Sequence, residues 1–281
     1  MIAFDPAGPL PTGTVLLEAS AGTGKTHAIA ALATRYLAEG KVEADRLAVI
    51  SFSRIASVEL RSRVRQRLLA TRDLLSAAGR GTLPSGLDET DALLVSGTGD
   101  ELLDRHARLV KALAALDGAA IMTIHEFCQA MMAELGVLAD ADPQATLVED
   151  VTILLDQLTG DLYLRRYGSL PEGPPFDLAT ARVLAREAVE LVEARLVPAD
   201  ARGAAAERLG FAHEVRRELA ARKRRLGVYT FDDQLLRLRD SLGHASSRAA
   251  VERLRRRCQV VLVDEFQDTD PVQWSILHQA F

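Results

Sequence analysis

The sequence predicts an α/β fold in which a parallel β-sheet is flanked by helices and carries a phosphate-binding loop at one edge. Two stretches carry this prediction. A glycine-rich turn stands between an apolar run and a helix-like stretch, and it reads Ala19-Ser20-Ala21-Gly22-Thr23-Gly24-Lys25-Thr26. A second apolar run ends in two carboxylates, and it reads Val260-Val261-Leu262-Val263-Asp264-Glu265. A strand, a glycine-rich turn and a helix, in that order, are the setting that a phosphate-binding loop requires.

The residue types of the loop suit a nucleotide triphosphate. Gly22 and Gly24 allow backbone conformations closed to residues with a Cβ, so consecutive N–H groups can surround the phosphates. Lys25 would place its ammonium near the β- and γ-phosphates, and Thr26 would offer its hydroxyl to Mg²⁺. The following helix would point its positive end at the same anion. The motif starts with Ala19 instead of glycine, which requires an ordinary φ there. The alternative is a glycine-rich turn in which Gly-Lys-Thr occurs by chance.

The two carboxylates after the second apolar run argue against a chance motif. Asp264 can hold Mg²⁺ through its water shell, and Glu265 can polarise an attacking water. A strand that ends in Asp-Glu is a modest signal alone, because acidic residues often end strands. Together with the upstream loop it predicts an NTPase that uses ATP and Mg²⁺.

Length and composition set further limits. The 281 residues exceed the usual ~100–200 residues of one domain, so one elaborated domain or two domains are expected. The net charge of −5 gives no overall basic footprint, so any nucleic-acid contact must come from local patches. Cys128 and Cys258 are too few for a disulfide framework and are expected to be reduced, buried thiols. No export signal or long apolar segment occurs, so we expect a cytoplasmic protein without membrane contact.

Hydrophobic periodicity predicts the order of the elements. The predicted strands are residues 15–17, 47–50, 119–124 and 260–263. The predicted helices include residues 28–37, 55–69 and 101–116, with a loop at 77–99. We expect residues 1–136 to be the first part of the ATP-binding core, 137–227 a helical insertion subdomain without sheet, and 228–281 the second part of the core. The last insertion helix carries Phe211, Val215 and Leu219 and ends in the basic run 222–225. That run is either a solvated helix face or a functional patch.

Five stretches also resemble the successive motifs of UvrD/Rep-type superfamily 1 DNA helicases, and they are most similar to the RecB branch, named after the RecB subunit of the RecBCD helicase-nuclease. The resemblance extends from about Val15 to the last residue. The stretches are Glu18 to Thr26, Ser51-Phe52-Ser53, Thr123-Ile124-His125-Glu126-Phe127-Cys128, Thr230-Phe231-Asp232-Asp233 and Asp264-Glu265-Phe266-Gln267-Asp268-Thr269-Asp270-Pro271.

The resemblance implies a RecA-like core and assigns roles to residues of this chain. Residues 19–26 would bind ATP, Thr26 and Asp264 would hold Mg²⁺, and Lys25 and Glu265 would be catalytic. Gln267 would couple the nucleotide state to the DNA side. A path for single-stranded DNA would be lined by Phe52, Ser53, Thr123 and His125. Base stacking on an aromatic ring contributes ~1–3 kcal/mol and reads no sequence, which suits a translocase. Two alternatives remain open: Phe52 as a core residue and His125 as the cap of its own helix.

The function that the resemblance implies is an ATP-dependent DNA helicase acting in double-strand-break repair and recombination. Its partners would be single-stranded DNA or DNA ends and RecC-like and RecD-like subunits. One alternative is an AddA-like or defence-system helicase with the same chemistry. Another is a non-motor ATP-binding regulatory module. ATP hydrolysis stimulated by single-stranded DNA distinguishes a motor from such a module.

Two departures from the family pattern bear on these expectations. UvrD-type relatives carry a glutamine upstream of the loop that recognises adenine, and residues 1–14 contain none. The second motor domain and its arginines would follow Phe281, so we expect a fragment of a longer polypeptide with little ATPase activity of its own. The strand after the Asp264-Glu265 motif would lie between strands 15–17 and 260–263.

Overall fold

The computed structural model describes residues 4–18, 24–136, 144–190, 196, 202–243 and 247–281. The helices are α1 (Lys25–Ala38), α2 (Arg54–Gly79), α3 (Glu89–Val95), α4 (Gly99–Ala115), α5 (Ile124–Leu135), α6 (Thr152–Tyr167), α7 (Leu178–Glu190), α8 (Ala204–Leu226), α9 (Phe231–Gly243), α10 (Arg248–Arg257) and α11 (Pro271–Ala280). The strands are β1 (Leu47–Ser51), β2 (Ala120–Thr123), β3 (Thr146–Leu147), β4 (Val228–Tyr229) and β5 (Val260–Val263).

Three of the predicted strands form the main sheet, in the order β2-β1-β5, and both pairings are parallel. In the central strand, Val49 lies opposite Ile121 on one side and Leu262 on the other. Parallel strands need crossover connections, and helices supply them between these strands. The structure therefore confirms the α/β class with a parallel sheet and flanking helices.

Helices cover both faces of this sheet. On one face α2 packs against α1 and α4. The core there includes Leu37, Val49, Leu60, Leu109 and Ile121. On the other face α5 lies against β1 and β2, while α10 contacts α5 and α11. Both cysteines are buried free thiols, as predicted.

The prediction of a strand at residues 15–17 is wrong. Val15, Leu16 and Leu17 are exposed and form no regular structure, and Leu16 is 65% exposed. An apolar run becomes a strand only when a neighbouring strand satisfies its backbone groups. Among the described residues, β5 pairs with β1 alone, and the strand expected between residues 15–17 and β5 is not present, so residues 15–17 have no neighbouring strand to pair with.

The segment between β1 and β2 also differs from the prediction. The helix expected at 55–69 continues to Gly79, because Thr71 and Leu75 extend its buried stripe. The loop expected at 77–99 contains the short helix α3, which is capped by the Asp88 side chain. Arg67 of α2 donates two hydrogen bonds to Asp88, at 2.6 and 2.9 Å. This tertiary ion pair stabilises the short helix in addition to its local cap.

The chain divides into two compact units, residues 1–140 with 237–281, and residues 141–236. In the second unit, α6, α7 and α8 pack around Tyr163, Tyr167, Phe176 and Phe211. Against expectation, this unit contains a short parallel pairing of β3 with β4. Strands of two residues are too short to give an alternation signal. The division at residues 137 and 227 stays a prediction.

The predicted final helix of the second unit is present, since α8 buries Phe211, Val215 and Leu219. Half of its basic run is engaged in ion pairs within the same unit. Arg222 contacts Asp161 at 2.5 Å, and Lys223 contacts Asp233 at 2.6 Å. The remaining two residues of the run, 224 and 225, are exposed. None of the helices that the structure describes combines the length and apolar composition that a membrane crossing requires.

Candidate functional site

The first part of the predicted phosphate-binding loop, Ala19, Ser20, Ala21, Gly22 and Thr23, lies outside the described residues. The described part begins at Gly24, which has φ 93° and occupies the N-cap of α1. Only glycine adopts such a φ without strain. The Gly24 carbonyl accepts from the Ala28 N–H at 2.9 Å. Helix α1 therefore starts at Lys25, with Lys25 and Thr26 in its first turn, where unpaired backbone N–H groups attract anions.

Asp264 lies directly after β5 at the carboxyl edge of the sheet. Its backbone N–H donates to the Ile50 carbonyl at 2.8 Å, so it continues the pairing with β1. The residue is only 7% exposed, and burial raises the pKa of its carboxyl group above the ordinary value. The carboxylate accepts a hydrogen bond from the Glu265 N–H, at 3.0 Å. A buried carboxylate of this kind gains from a nearby cation, which suits a magnesium ligand.

Glu265 adopts a left-handed backbone conformation, with φ 51° and ψ 44°. It is the one non-glycine residue with positive φ among those that the structure describes. A left-handed residue with a Cβ costs roughly 1–2 kcal/mol. The conformation is followed by a 3-10 turn at Phe266–Asp268, in which the Asp268 N–H donates to the Glu265 carbonyl at 2.9 Å. Strain of this size is often found at functional sites.

The Glu265 side chain meets the loop lysine. Its Oε2 lies 2.9 Å from Nζ of Lys25, and the Gln267 amide donates to the same oxygen. The Gln267 hydrogen bond and the Lys25 ammonium lower the pKa of Glu265, and the Glu265 hydrogen bond raises the pKa of Lys25. Residues 240 positions apart in sequence thus form one charged group at the sheet edge.

These residues fit the group that the motif implies. The ammonium of Lys25 and the start of α1 suit phosphate oxygens, and Asp264 with Thr26 suits a magnesium ion that keeps phosphate and water ligands. The described residues contain no cluster of three or more His, Cys, Asp or Glu side chains that could hold a metal alone. Magnesium with phosphate does not require such a cluster, since it usually keeps only one or two carboxylates.

The candidate DNA-contacting residues share the same sheet edge. Phe52 and Ser53 follow β1, Thr123 ends β2, and Ser51 lies opposite Thr123 in the register. His125 lies in the first turn of α5, which begins next to Thr123. Because the carboxyl ends of parallel strands meet at one edge, the structure brings these four residues to the edge that also carries Asp264.

Two of the four candidate residues already have structural roles. Ser53 accepts from the Ala56 N–H at 3.1 Å and caps α2. Thr123 is buried and forms a capping box with Glu126 at the start of α5. The cap of α5 is therefore Thr123, and the alternative that His125 caps this helix is wrong. Phe52 is half-buried, so neither a core role nor a stacking role is decided by its burial.

An ion-pair network beside this edge has no counterpart among the sequence predictions. Asp88, which binds Arg67, also lies 3.9 Å from Nε2 of His27, the residue after Thr26. The Arg67 guanidinium lowers the pKa of Asp88, while burial raises the pKa of Asp91. This network anchors the segment before α3 beside the start of α1. In the sequence, the capping pattern Asp88-x-x-Asp91 was the signal that could have pointed to this segment.

An aromatic group, also not predicted, follows the Glu265 turn. Phe266 contacts Trp274 of α11 edge to face, with ring centroids 5.5 Å apart. Trp274 stacks on His278 at 5.1 Å. The i, i+4 spacing of Trp274 and His278 places both rings on one face of α11.

The parallel sheet, the start of α1 and the two carboxylates at the carboxyl edge define an α/β protein of the RecA-like type. The chain belongs to the UvrD/REP helicase N-terminal domain family, whose model matches residues 5–281. This match confirms the resemblance drawn from the motifs.

Curated relatives agree with the family. The RecBCD enzyme subunit RecB of Mycolicibacterium smegmatis is 44% identical over the whole chain, which covers 26% of that protein. The RecBCD enzyme subunit RecB of Mycobacterium tuberculosis is 43% identical over 99% of the chain and 25% of its own length. The RecBCD enzyme subunit RecB of Escherichia coli is 34% identical over 57% of the chain and 14% of its own length. The chain spans about a quarter of the length of the two mycobacterial relatives.

Proposed function

We propose that the chain is the N-terminal ATP-binding motor domain of a RecB-like DNA helicase that acts in double-strand-break repair and recombination. The observation that carries the proposal is the 2.9 Å contact between Lys25, at the start of α1, and Glu265, after β5. The contact joins the two halves of an NTPase site that the sequence separates. The mycobacterial RecB relatives, which match the chain along nearly all of its length, support the helicase class.

The residues at the sheet edge have distinct roles in this proposal. ATP with Mg²⁺ supplies the phosphoryl group and the charge that the site must neutralise. Lys25 and the start of α1 bind the phosphates, and Thr26 and Asp264 hold the magnesium ion. Glu265 orients the attacking water and accepts its proton.

The present pairing implies an order of events. Lys25 cannot neutralise a phosphate fully while it is paired with Glu265. Moving the ammonium to a triphosphate would remove one of the causes that lower the pKa of Glu265, and the freed carboxylate would become a stronger base. Gln267, which also donates to Glu265, is then positioned to link this change to the rest of the sheet edge.

The DNA path in this proposal follows the ends of β1 and β2. Phe52 would stack on bases, and Ser53, Thr123 and His125 would lie along the backbone. The ligand would be single-stranded DNA or a DNA end. RecC-like and RecD-like subunits are proposed as partners because the relatives are named as subunits of a RecBCD enzyme.

Nucleotide binding tests the central assignment. Lys25→Ala should weaken binding of a fluorescent ATP analogue with Mg²⁺ by about 10- to 100-fold, because a charge-assisted contact contributes about 1.5–3 kcal/mol. Lys111→Ala is the matched control, since Lys111 is 70% exposed and pairs with Glu43. Equal affinities of wild type and Lys25→Ala would contradict the assignment.

DNA-dependent hydrolysis tests the motor role. The isolated chain should hydrolyse ATP slowly, because arginines of a second motor domain contribute ~10³–10⁵ in rate in related phosphoryl-transfer enzymes. Single-stranded DNA should raise this rate, and Glu265→Gln should abolish it. Phe52→Ala should weaken DNA binding for every sequence alike, with Phe4→Ala as the aromatic control. An ATPase rate that DNA does not change would favour a non-motor module.

A further inference from the structure

Helix α10 carries an unusual concentration of positive charge in an acidic chain. Its ten residues include five arginines and one glutamate, whereas the whole chain has a net charge of −5. Its apolar side, Ala250 and Leu254, is buried. The arginines therefore lie on the sides of the helix that face solvent and neighbouring elements.

Three of these arginines line one concave space. Together with Glu134 of α5, they line a solvent-open depression of about 380 Å³, which we call the arginine pocket. The three are Arg253, Arg256 and Arg257. Glu134 balances one of the three positive charges, so the lining that the structure describes carries a net charge of about +2.

Two of the guanidiniums are held in place. The Arg253 Nε donates to Glu134 at 3.0 Å, and the Arg257 guanidinium donates to the Asp45 carbonyl. Arg256 has no hydrogen-bond or ion-pair partner within the described part of the chain. Since each of the two guanidiniums uses one N–H and Arg256 uses none, most of the N–H donors of the three groups remain available to an anion.

The arginine pocket is separate from the candidate nucleotide site. Arg257 contacts the turn before β1, and Gln259, which directly precedes β5, donates its backbone N–H to the Arg46 carbonyl at 2.9 Å. The pocket thus lies at the amino edge of the sheet. Lys25, Asp264 and Glu265 lie at the carboxyl edge. The proposed ATPase chemistry makes no use of the pocket.

Helix electrostatics explain the pocket only in part. Arginines in the last turn of a helix interact favourably with its C-terminal dipole, which accounts for Arg255, Arg256 and Arg257. The dipole does not account for Arg253, which lies one turn earlier, or for the convergence of three side chains on one cavity with a residue of α5.

We propose that the arginine pocket binds phosphate groups. A guanidinium fork donates two parallel hydrogen bonds to an oxyanion, and the tetrahedral phosphate presents more oxygens than a planar carboxylate does. Three guanidinium groups that line one space can therefore donate hydrogen bonds to the same phosphate. Because the arginine pocket is open to solvent, it can also accept a group with more than one phosphate, such as pyrophosphate or two neighbouring phosphates of a nucleic-acid backbone.

Calorimetric titration in a Lys25→Ala background tests the proposal, since that background weakens phosphate binding at the candidate nucleotide site. The probes are pyrophosphate and a short single-stranded oligonucleotide. Arg256→Ala should weaken binding about tenfold or more, as expected when a charged hydrogen-bonding partner is lost. Arg248→Ala is the matched control, because Arg248 lies on the same helix, is 89% exposed and is absent from the pocket lining.

The two probes distinguish the sources of phosphate. Binding of pyrophosphate alone assigns the pocket to free phosphates. Oligonucleotide binding that loses about one unit of salt slope in Arg256→Ala assigns it to the nucleic-acid backbone. Arg256→Lys keeps the charge without the fork, so it should give an intermediate loss and also serves if Arg256→Ala fails to fold.

Three results would overturn the proposal. The first is pyrophosphate and oligonucleotide binding that Arg256→Ala leaves unchanged. The second is an equal loss of affinity in Arg248→Ala, which would mean that net charge alone causes the effect. The third is Arg256-dependent binding of a glutamate-rich peptide when neither phosphate probe binds. A failure of the nucleotide assignment would appear instead as unchanged ATP affinity in Lys25→Ala.

Discussion

Strands β1 and β5 have similar apolar sequences and adjoin each other in the sheet, yet their environments differ. All five residues of β1 are buried, whereas all four residues of β5 are only half-buried. β1 has a strand on both edges, and β5 has one on a single edge among the described residues. An apolar run can therefore specify a strand, while the neighbours of that strand decide how completely it is enclosed.

The two strands also end differently. After β1 the chain passes through Phe52 to Ser53, an ordinary helix cap. After β5 it passes through the buried Asp264 to the left-handed Glu265. Charge and backbone strain are thus concentrated at the end of the less enclosed strand, where a ligand can reach them.

The largest expected effect of this difference in enclosure is on stability, and it compares two valines of the same core cluster, one in β1 and one in β5. Val49→Ala should reduce the free energy of unfolding by about 2–3 kcal/mol, because Val49 is fully buried. Val260→Ala should cost about 1 kcal/mol or less, since Val260 is only partly buried. Urea unfolding of both variants measures the difference. Equal losses would mean that β5 is enclosed as completely as β1 in solution.

A smaller effect is expected from the backbone at the two strand ends. Glu265→Gly should be more stable than Glu265→Ala by about 1 kcal/mol, because glycine relieves the left-handed strain. Both variants lose the contact with Lys25, so that contact cancels in the comparison. At Ser51, in extended backbone, the order should be reversed, with glycine about 0.5–1 kcal/mol less stable than alanine. Thermal or urea unfolding of the four variants gives both differences, and the same preference at both positions would contradict the strain at Glu265.

The smallest expected effect concerns Thr123, the last residue of β2, which forms a capping box with Glu126. The Thr123 backbone N–H holds the pKa of Glu126 below its ordinary value of 4.5. A lowered folded-state pKa gives stability that is present above the ordinary value and is lost as the pH falls through the folded-state value. Glu126→Gln should therefore lower the melting temperature slightly at pH 7. The difference should shrink as the pH falls below 4.5, whereas a difference that does not change with pH would assign the loss to packing.

Local patterns predicted much of this fold and only parts of the site. The runs at β1, β2 and β5 were recognisable because parallel strands buried on both faces are continuously apolar. Residues 15–17 have the same composition but no neighbour to pair with. The motifs predicted Lys25 and Glu265 as functional residues, but not their contact or the backbone of Glu265, which depend on the turn after β5. Thr123 was predicted to face DNA, a role that stays untested, and its capping role was missed.

Features that depend on contact between two elements far apart in the sequence could not be predicted from the sequence alone. The arginine pocket exists because α5 brings Glu134 beside α10, and nothing near Glu134 in the sequence indicates this. The same holds for Arg67 and Asp88, which join α2 to the start of α3. Such groups depend on packing, and periodicity within one helix does not report it.

Trp274, the one tryptophan in the chain, touches Phe266 next to the Glu265 turn. Indole emission responds to the packing and polarity around the ring. The intrinsic fluorescence of this protein should therefore report changes in the Glu265 turn without an attached dye. Rapid mixing with nucleotide would then record the release of Glu265 from Lys25 as a change of emission in real time. The stack on His278 fixes the indole from its other side, so the change would reflect movement of the turn rather than free rotation of the ring.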